Sequence, residues 1–178
     1  MTTSFRLLPL ALCCLASVGS AQAPKKPVSD ALRDIAHRAG ENLVAAAEEM
    51  PAGDYGFKPT PAQMTFGEVI MHLIGGNDFL CANTSGVAAP KRDKLAADAA
   101  KEKLVAQLRE TFRFCESALA QVNDSDLGGS VPFFGKQQVS RARSMFAAAE
   151  DWADHYSQLA IYLRLKGHLP PTAKRQQE

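Results

Sequence analysis

Two residues of one segment and a third from a distant segment have side chains that could bind a metal ion. Asp151 and His155 lie four residues apart in a stretch whose apolar residues follow a helical period, so both side chains project from one helix face, one turn apart. His72 lies on the edge of an earlier apolar stripe. Carboxylate oxygens and imidazole nitrogens bind divalent cations at about 2 Å. We therefore expect these three residues to hold a divalent metal ion such as zinc, nickel, iron or manganese.

Two simpler interpretations of these residues remain open at this point. A buried histidine needs a hydrogen-bond partner, which a backbone carbonyl or a nearby tyrosine could supply. A buried carboxylate needs a positive neighbour, and Asp151 could form a salt bridge with Arg141 or Arg164. If the metal interpretation holds, two histidines and one carboxylate leave coordination positions free for water or substrate, which is typical of catalytic sites.

Other residues near the predicted site receive weaker assignments. Tyr162 lies one to two turns beyond His155 and could line a pocket, although core packing is the alternative. Glu150 and Asp154 lie on neighbouring faces of the same helix, where we expect them to be solvated. The sequence contains no glycine-rich phosphate loop, no G-x-S-x-G motif and no Cys-x-x-Cys motif, so the corresponding chemistries are not supported. No catalytic residue is assigned.

The N-terminus predicts export. Arg6 is followed by an apolar run, residues 7–18, and then by small residues that end in Ala21-Gln22-Ala23. This order is typical of a secretory signal peptide with its cleavage site, and the apolar run is too short to span a bilayer as a helix. We expect a signal peptide over residues 1–23, a domain over residues 24–171, and a periplasmic or secreted protein with no stable membrane insertion after processing.

The charge balance argues against nucleic acid as a partner. Removing residues 1–23 removes only Arg6 from the 20 basic residues, which leaves 19 basic and 19 acidic residues. Binding to a nucleic-acid backbone requires clustered positive charge, whereas the basic residues here are scattered. We expect an unidentified small molecule as the partner, and a homodimer is plausible for a helical domain of this size.

Four segments have helical periodicity, and no segment has a convincing strand pattern. The first covers residues 29–50, the second residues 65–82, the third begins between residues 93 and 98, and the fourth covers residues 140–166. Thr65 and Glu68 fit a capping box at the start of the second helix, and Gly167 fits a C-terminal cap of the fourth. Residues 172–178 are predicted to be a disordered tail.

The two cysteines of the predicted domain bear on the topology. Cys81 lies near the end of the second helix and Cys115 near the end of the third. Antiparallel packing of these helices would separate the cysteines by roughly 25 Å, whereas parallel packing would bring them level and within disulfide reach. Because an oxidising compartment favours a disulfide, we expect one here, with a crossover between the two helices. The alternative is two buried thiols.

Two stretches of the chain resemble the DinB-like (YfiT-type) superfamily of metal-binding helical proteins. One runs from Tyr55 through Pro61 to the capping box and His72, and the other runs from His155 to Pro171. The resemblance extends from about Ser29 to Thr172. It implies an all-α fold, a four-helix bundle with a long crossover between helices 2 and 3.

The same resemblance implies a ligand set and a class of activity. In the family three histidines usually hold the metal, one on helix 2 and two at i, i+4 on helix 4. His72 and His155 match two of these positions, and Asp151 stands in place of the third. Characterised relatives include transferases and isomerases that use small thiols. We therefore expect a metal-dependent transferase or hydrolase that activates a thiol or water, the alternative being a non-catalytic binding or structural module with a vestigial metal site.

Overall fold

The computed structural model describes residues 26–177, so the predicted signal peptide lies outside the described residues. Within this range the chain is mainly helical, which confirms the all-α prediction. Its helices are α1 (Pro27–Glu49), α2 (Phe66–Ser85), α3 (Lys101–Leu119), α4 (Arg141–Leu165) and the short α5 (Pro171–Lys174). Among residues 26–177, no helix has the length and apolar character needed to cross a membrane.

The helix ends follow local sequence signals where those signals are strong. The Thr65 hydroxyl accepts the Glu68 N–H at 3.2 Å, and the Glu68 carboxylate accepts the Thr65 N–H at 2.6 Å. This reciprocal pair is the capping box predicted for α2. At the other end of the chain, Gly167 has a φ of +82° after the last turn of α4, a conformation that favours glycine.

The start of α3 differs from the prediction. The sequence predicts a start between residues 93 and 98, but the helix begins at Lys101. The preceding residues instead belong to the connection between α2 and α3, where Gln107 donates to the Asp93 carbonyl at 3.1 Å and Arg92 pairs with Asp78 at 2.6 Å. These tertiary contacts compete with helix formation, and the helix begins after Ala100, whose side chain forms no capping hydrogen bond.

Helices α2 and α3 run parallel, as the cysteine argument predicts. Asn77 donates to Thr111 at 2.9 Å, and Cys81 and Cys115 lie at disulfide-bonding distance with their Cα atoms 5.2 Å apart. Both pairs are separated by 34 residues, and a constant separation along two helices requires parallel packing. The connection over residues 86–100 is therefore the predicted crossover.

Helices α2 and α4 run antiparallel. At one end of the pair, the hydroxyls of Thr84 and Ser144 lie 2.7 Å apart. At the other end, the Tyr162 hydroxyl donates to the Met64 carbonyl at 2.8 Å, just before α2 begins. This arrangement brings the first half of α2 level with the second half of α4.

A small hairpin between α3 and α4 was not predicted from the sequence. Strand β1 (Ser130–Pro132) pairs antiparallel with β2 (Gln138–Ser140), with Val131 opposite Val139. Strands of three residues are too short to carry a recognisable alternation of apolar and polar residues. The hairpin packs against α2 and α4, and so contributes side chains beside the helix pair that carries the predicted metal ligands.

The C-terminal end is more ordered than the sequence predicts. Within the predicted disordered tail, which begins at Thr172, the structure instead continues α5 to Lys174. The Tyr156 hydroxyl donates to the Thr172 hydroxyl at 2.8 Å and accepts the Thr172 N–H at 3.0 Å, while Lys174 pairs with Glu49 at 2.6 Å. The tail sequence is polar, and the partners that order it come from distant parts of the chain.

Candidate metal centre

The structure brings His72, Asp151 and His155 together. One potential ligand atom from each residue lies within 4.8 Å of the others, and this is the one such group of three among the described residues. His72 comes from α2, whereas Asp151 and His155 come from successive turns of α4. Because these two helices pack antiparallel, the three side chains lie close together although they come from distant parts of the sequence.

His155 is held in an orientation that leaves one ring nitrogen free. Its side chain is buried, and Nδ1 lies 2.7 Å from the Asp151 backbone carbonyl. Because a carbonyl oxygen can only accept, Nδ1 carries a proton, and in the neutral imidazole the lone pair is therefore on Nε2. A hydrogen bond from one imidazole nitrogen to a carbonyl is the usual support of a metal-ligating histidine. The hydrogen bond to a backbone carbonyl, which the sequence left open as an alternative to metal binding, is therefore present. It uses Nδ1 and leaves Nε2 available as a metal ligand.

Asp151 lacks the positive partner that a buried carboxylate needs. Its Oδ1 lies 3.5 Å from His155 Nδ1 and 3.9 Å from His72 Nε2, while Oδ2 is buried and has no hydrogen-bond partner. Burial raises the pKa of the Asp151 carboxyl above its ordinary value, and the two neighbouring imidazoles counteract this rise. A cation at this position would compensate the lost hydration. The residues therefore fit a metal ion.

The arginines offered by the sequence as partners for Asp151 lie elsewhere. Arg141 Nη1 contacts the Thr84 carbonyl, and Arg164 Nη1 lies 3.4 Å from the Ala160 carbonyl. Among the described residues, the basic side chains within 4 Å of the Asp151 carboxylate are instead the two histidines. The salt-bridge interpretation of Asp151 is therefore wrong.

His72 forms the open side of the cluster. Its side chain is 53% exposed, compared with 7% for His155. The two rings stack with centroids 4.8 Å apart and an interplanar angle of 19°. The potential ligand atoms of the three residues lie within 4.8 Å of one another, and the exposure of His72 gives its ring room to adjust toward a bound metal ion.

Gly76 lies beside the carboxylate. A Cβ atom at this position would lie 3.5 Å from Asp151 Oδ2. The missing side chain therefore leaves a small space next to the buried oxygen that has no partner. The sequence shows only an isolated Gly75-Gly76 pair within a helix, which did not indicate this role.

A buried polar network supports the cluster from the core side. Trp152 Nε1 donates to Asn77 Oδ1 at 2.7 Å, and Asn77 Nδ2 donates to Thr111 at 2.9 Å. All three residues are almost fully buried. The network fixes Trp152, the residue next to Asp151, relative to α2 and α3. This network was not predicted from the sequence, where its one visible sign is the polar residue Asn77 within the apolar stretch of α2.

The remaining residues considered in the sequence lie outside the cluster. Tyr162 is buried, bonds to the Met64 carbonyl and packs edge-on against Phe57 with ring centroids 5.9 Å apart, so its contacts are those of core packing. Glu150 pairs with Arg143 at 3.3 Å, and Asp154 accepts from Gln158 at 3.1 Å. Both carboxylates are exposed, as expected.

The chain matches the model of a known protein family. The family described as the DinB superfamily matches residues 35–159 of the chain, a range that contains all three predicted ligands. Among curated proteins there is no match.

Solved structures of similar fold come from several bacteria. A DinB-like protein from Bacillus subtilis shares 18% identity with a TM-score of 0.63, over 78% of this chain and 92% of that chain. One from Bacillus cereus shares 14% identity with a TM-score of 0.65, over 80% and 95%. A conserved protein from Enterococcus faecalis shares 17% identity with a TM-score of 0.62, over 80% and 98%. At these identities the likeness concerns the fold alone.

Proposed function

Because the chain belongs to the DinB superfamily, we propose that it binds one divalent metal ion through His72, Asp151 and His155 and acts as a metal-dependent transferase or hydrolase. The observation that carries this proposal is the Asp151 carboxylate, whose Oδ2 is buried without a hydrogen-bond partner and whose Oδ1 lies 3.5 and 3.9 Å from the imidazoles of His155 and His72. A carboxylate kept in this state without a cation would cost stability.

Each ligand would contribute differently. Asp151 supplies negative charge, His155 supplies Nε2 because its Nδ1–H is held by a carbonyl, and His72 supplies a nitrogen from the solvent side. When bound, the metal would supply Lewis-acid activation of a water or a thiol. Three protein ligands leave room for a substrate, and the exposure of His72 indicates the side from which the substrate would enter.

We also propose that the protein is exported. Residues 1–23 have the sequence features of a signal peptide, and Cys81 and Cys115 lie at the distance required for a disulfide. Disulfides persist mainly in oxidising compartments, which agrees with this destination. An exported enzyme would draw its thiol or other substrate from the periplasm or the medium.

Metal binding is tested by equilibrium dialysis of the purified domain against zinc, nickel, iron(II) and manganese. We expect one equivalent of the preferred metal per chain and loss of binding in Asp151→Asn and His155→Ala. His37→Ala is the matched control, because the His37 side chain is 61% exposed and lies outside the cluster. Unchanged metal binding in the two ligand variants would contradict the proposal.

Catalysis is tested separately on the metal-loaded protein with an activated aryl ester and with an aryl halide plus a small thiol. We expect a metal-dependent rate with one of these probes, lost in Asp151→Asn. A protein that binds metal tightly but accelerates neither reaction would favour the alternative, a non-catalytic binding or structural module with a vestigial site.

A further inference from the structure

A stacked pair of aromatic rings lies near α2, on the C-terminal side of the candidate metal centre. The rings of Phe79 and Phe134 have centroids 4.3 Å apart and an interplanar angle of 24°. Phe79 follows His72 by seven residues on the same helix, which corresponds to two turns and about 10 Å. Phe134 comes from the turn between β1 and β2 and is 51% exposed.

The surface between the metal centre and this pair is formed by residues with little or no side chain. A Cβ at Gly75 would meet no heavy atom within 4 Å, and a Cβ at Gly76 would meet only Asp151. On α4, the residue one turn before Asp151 is Ala147. Positions one turn apart share a helix face. The small residues on α2 and α4 therefore leave the surface between the metal ligands and the aromatic pair free of large side chains.

The arginine beside the aromatic pair is itself paired with a carboxylate. The Arg143 guanidinium lies 5.9 Å from the centroid of the Phe133 ring and pairs with Glu150 at 3.3 Å. Phe133 in turn packs edge-on against Phe134 with centroids 4.9 Å apart. An occupant of this surface would therefore meet aromatic faces and a paired ion, which favours a flat, uncharged apolar group.

We propose that Phe79 and Phe134 form a subsite for the aromatic or otherwise flat apolar part of a substrate whose reacting group lies at His72, Asp151 and His155. This inference rests on the proposed metal-binding function. Stacking on the exposed Phe134 ring, which packs against the half-buried Phe79 ring, supplies affinity and orientation. The distance of about 10 Å along the helix selects a substrate whose apolar group is separated from its reacting group by a short chain.

The test uses two hydroxamic acids as probes, because a hydroxamate binds zinc directly. Pentanohydroxamic acid has no ring, and 5-phenylpentanohydroxamic acid carries a phenyl group at the required distance. In isothermal titration of the zinc-loaded domain, we expect the phenyl compound to bind about tenfold more tightly. We expect Phe134→Ala to abolish this difference while leaving the affinity for pentanohydroxamic acid unchanged, and Phe134→Trp to retain the difference.

Phe146→Ala is the matched control, since Phe146 is also an exposed phenylalanine, at 61%, but lines a groove between α1 and α4. It should preserve the preference for the phenyl compound. Equal affinities of the wild-type protein for the two probes, or the same preference in Phe134→Ala, would overturn the subsite and leave the metal site standing. A domain that takes up no zinc or other divalent metal would overturn both proposals.

Discussion

Gly76 of α2 faces Asp151 of α4 so closely that a methyl group at position 76 would lie 3.5 Å from Asp151 Oδ2. This distance is an ordinary van der Waals contact, so the backbone can accept alanine without moving. The methyl would nevertheless occupy the space beside the oxygen that has no partner. The glycine therefore matters for what it leaves free beside the carboxylate.

We predict that Gly76→Ala weakens metal binding by about tenfold or more without unfolding the protein. Alanine is favoured over glycine inside a helix by about 1 kcal/mol, but further desolvation of Asp151 should offset part of this gain. Gly75→Ala is the matched control, because a Cβ there meets nothing within 4 Å. It should gain stability and keep its metal affinity. Equal metal affinities of the two variants, measured by competition with a chelating dye, would contradict the role assigned to position 76.

Asp151→Asn should lose metal binding and yet leave the metal-free protein as stable as the wild type or more stable by up to about 1 kcal/mol. The reason is that burial raises the pKa of the Asp151 carboxyl, so the charged form is disfavoured in the folded state. The measurement is urea denaturation with a chelator present.

The pH dependence of this difference has a definite sign. A raised folded-state pKa means that the wild type loses stability as the pH rises from the ordinary carboxyl value through the folded-state pKa. The advantage of the asparagine variant should therefore vanish in acid and appear above this range. A loss of more than about 2 kcal/mol in the metal-free variant would indicate a structural hydrogen-bonding role instead.

The contribution of Asp124 to stability should have the opposite pH dependence to that of Asp151, because it is lost on acidification. It accepts the Ser29 hydroxyl at 2.6 Å, the Ser29 N–H at 2.8 Å and the Val28 N–H at 3.1 Å, and these hydrogen bonds, with that of the Ser29 hydroxyl foremost, lower the pKa of the Asp124 carboxyl. Its contribution to stability is present above the ordinary value and is lost as the pH falls through the lower folded-state pKa. Amide exchange in the first turn of α1 should therefore accelerate in this acidic window. Asp124→Asn should show fast exchange at every pH; slow exchange in that variant would refute the assignment.

Asn77→Ala should destabilise the fold by about 2–3 kcal/mol. The substitution leaves the buried Trp152 Nε1–H without its acceptor at 2.7 Å and the Thr111 hydroxyl without its donor at 2.9 Å. Trp152 is the only tryptophan of the chain, so its fluorescence reports both the unfolding transition and the altered environment. Asn83→Ala, on the same helix and only half buried, is the control and should change stability by less than about 0.5 kcal/mol. Similar effects of the two substitutions would remove the case for a stabilising network.

The sequence predicted those parts of the fold whose signals are local. The capping box of Thr65 and Glu68, the cap at Gly167 and the helical periods all depend on residues within a few positions of one another. The parallel packing of α2 and α3 was also accessible, because Cys81 and Cys115 occupy equivalent ends of their helices. The hairpin was not, since each strand has only three residues and carries no period.

The candidate site shows the same division. Asp151 and His155 were identifiable from their i, i+4 spacing, and His72 from its place on an apolar stripe together with the family resemblance. The support from Asn77 could not be predicted, because its partners Thr111 and Trp152 lie 34 and 75 residues away. The aromatic pair of Phe79 and Phe134 likewise joins a helix to a distant turn, and only the packed structure places it near the ligands.

The most direct test is elemental analysis of the wild-type protein isolated from its native compartment without chelators, beside Asp151→Asn prepared in the same way. We expect about one divalent metal ion per wild-type chain and none in the variant. Metal-free wild-type protein that also fails to take up zinc, nickel, iron or manganese, or equal metal content in the two proteins, would contradict this expectation.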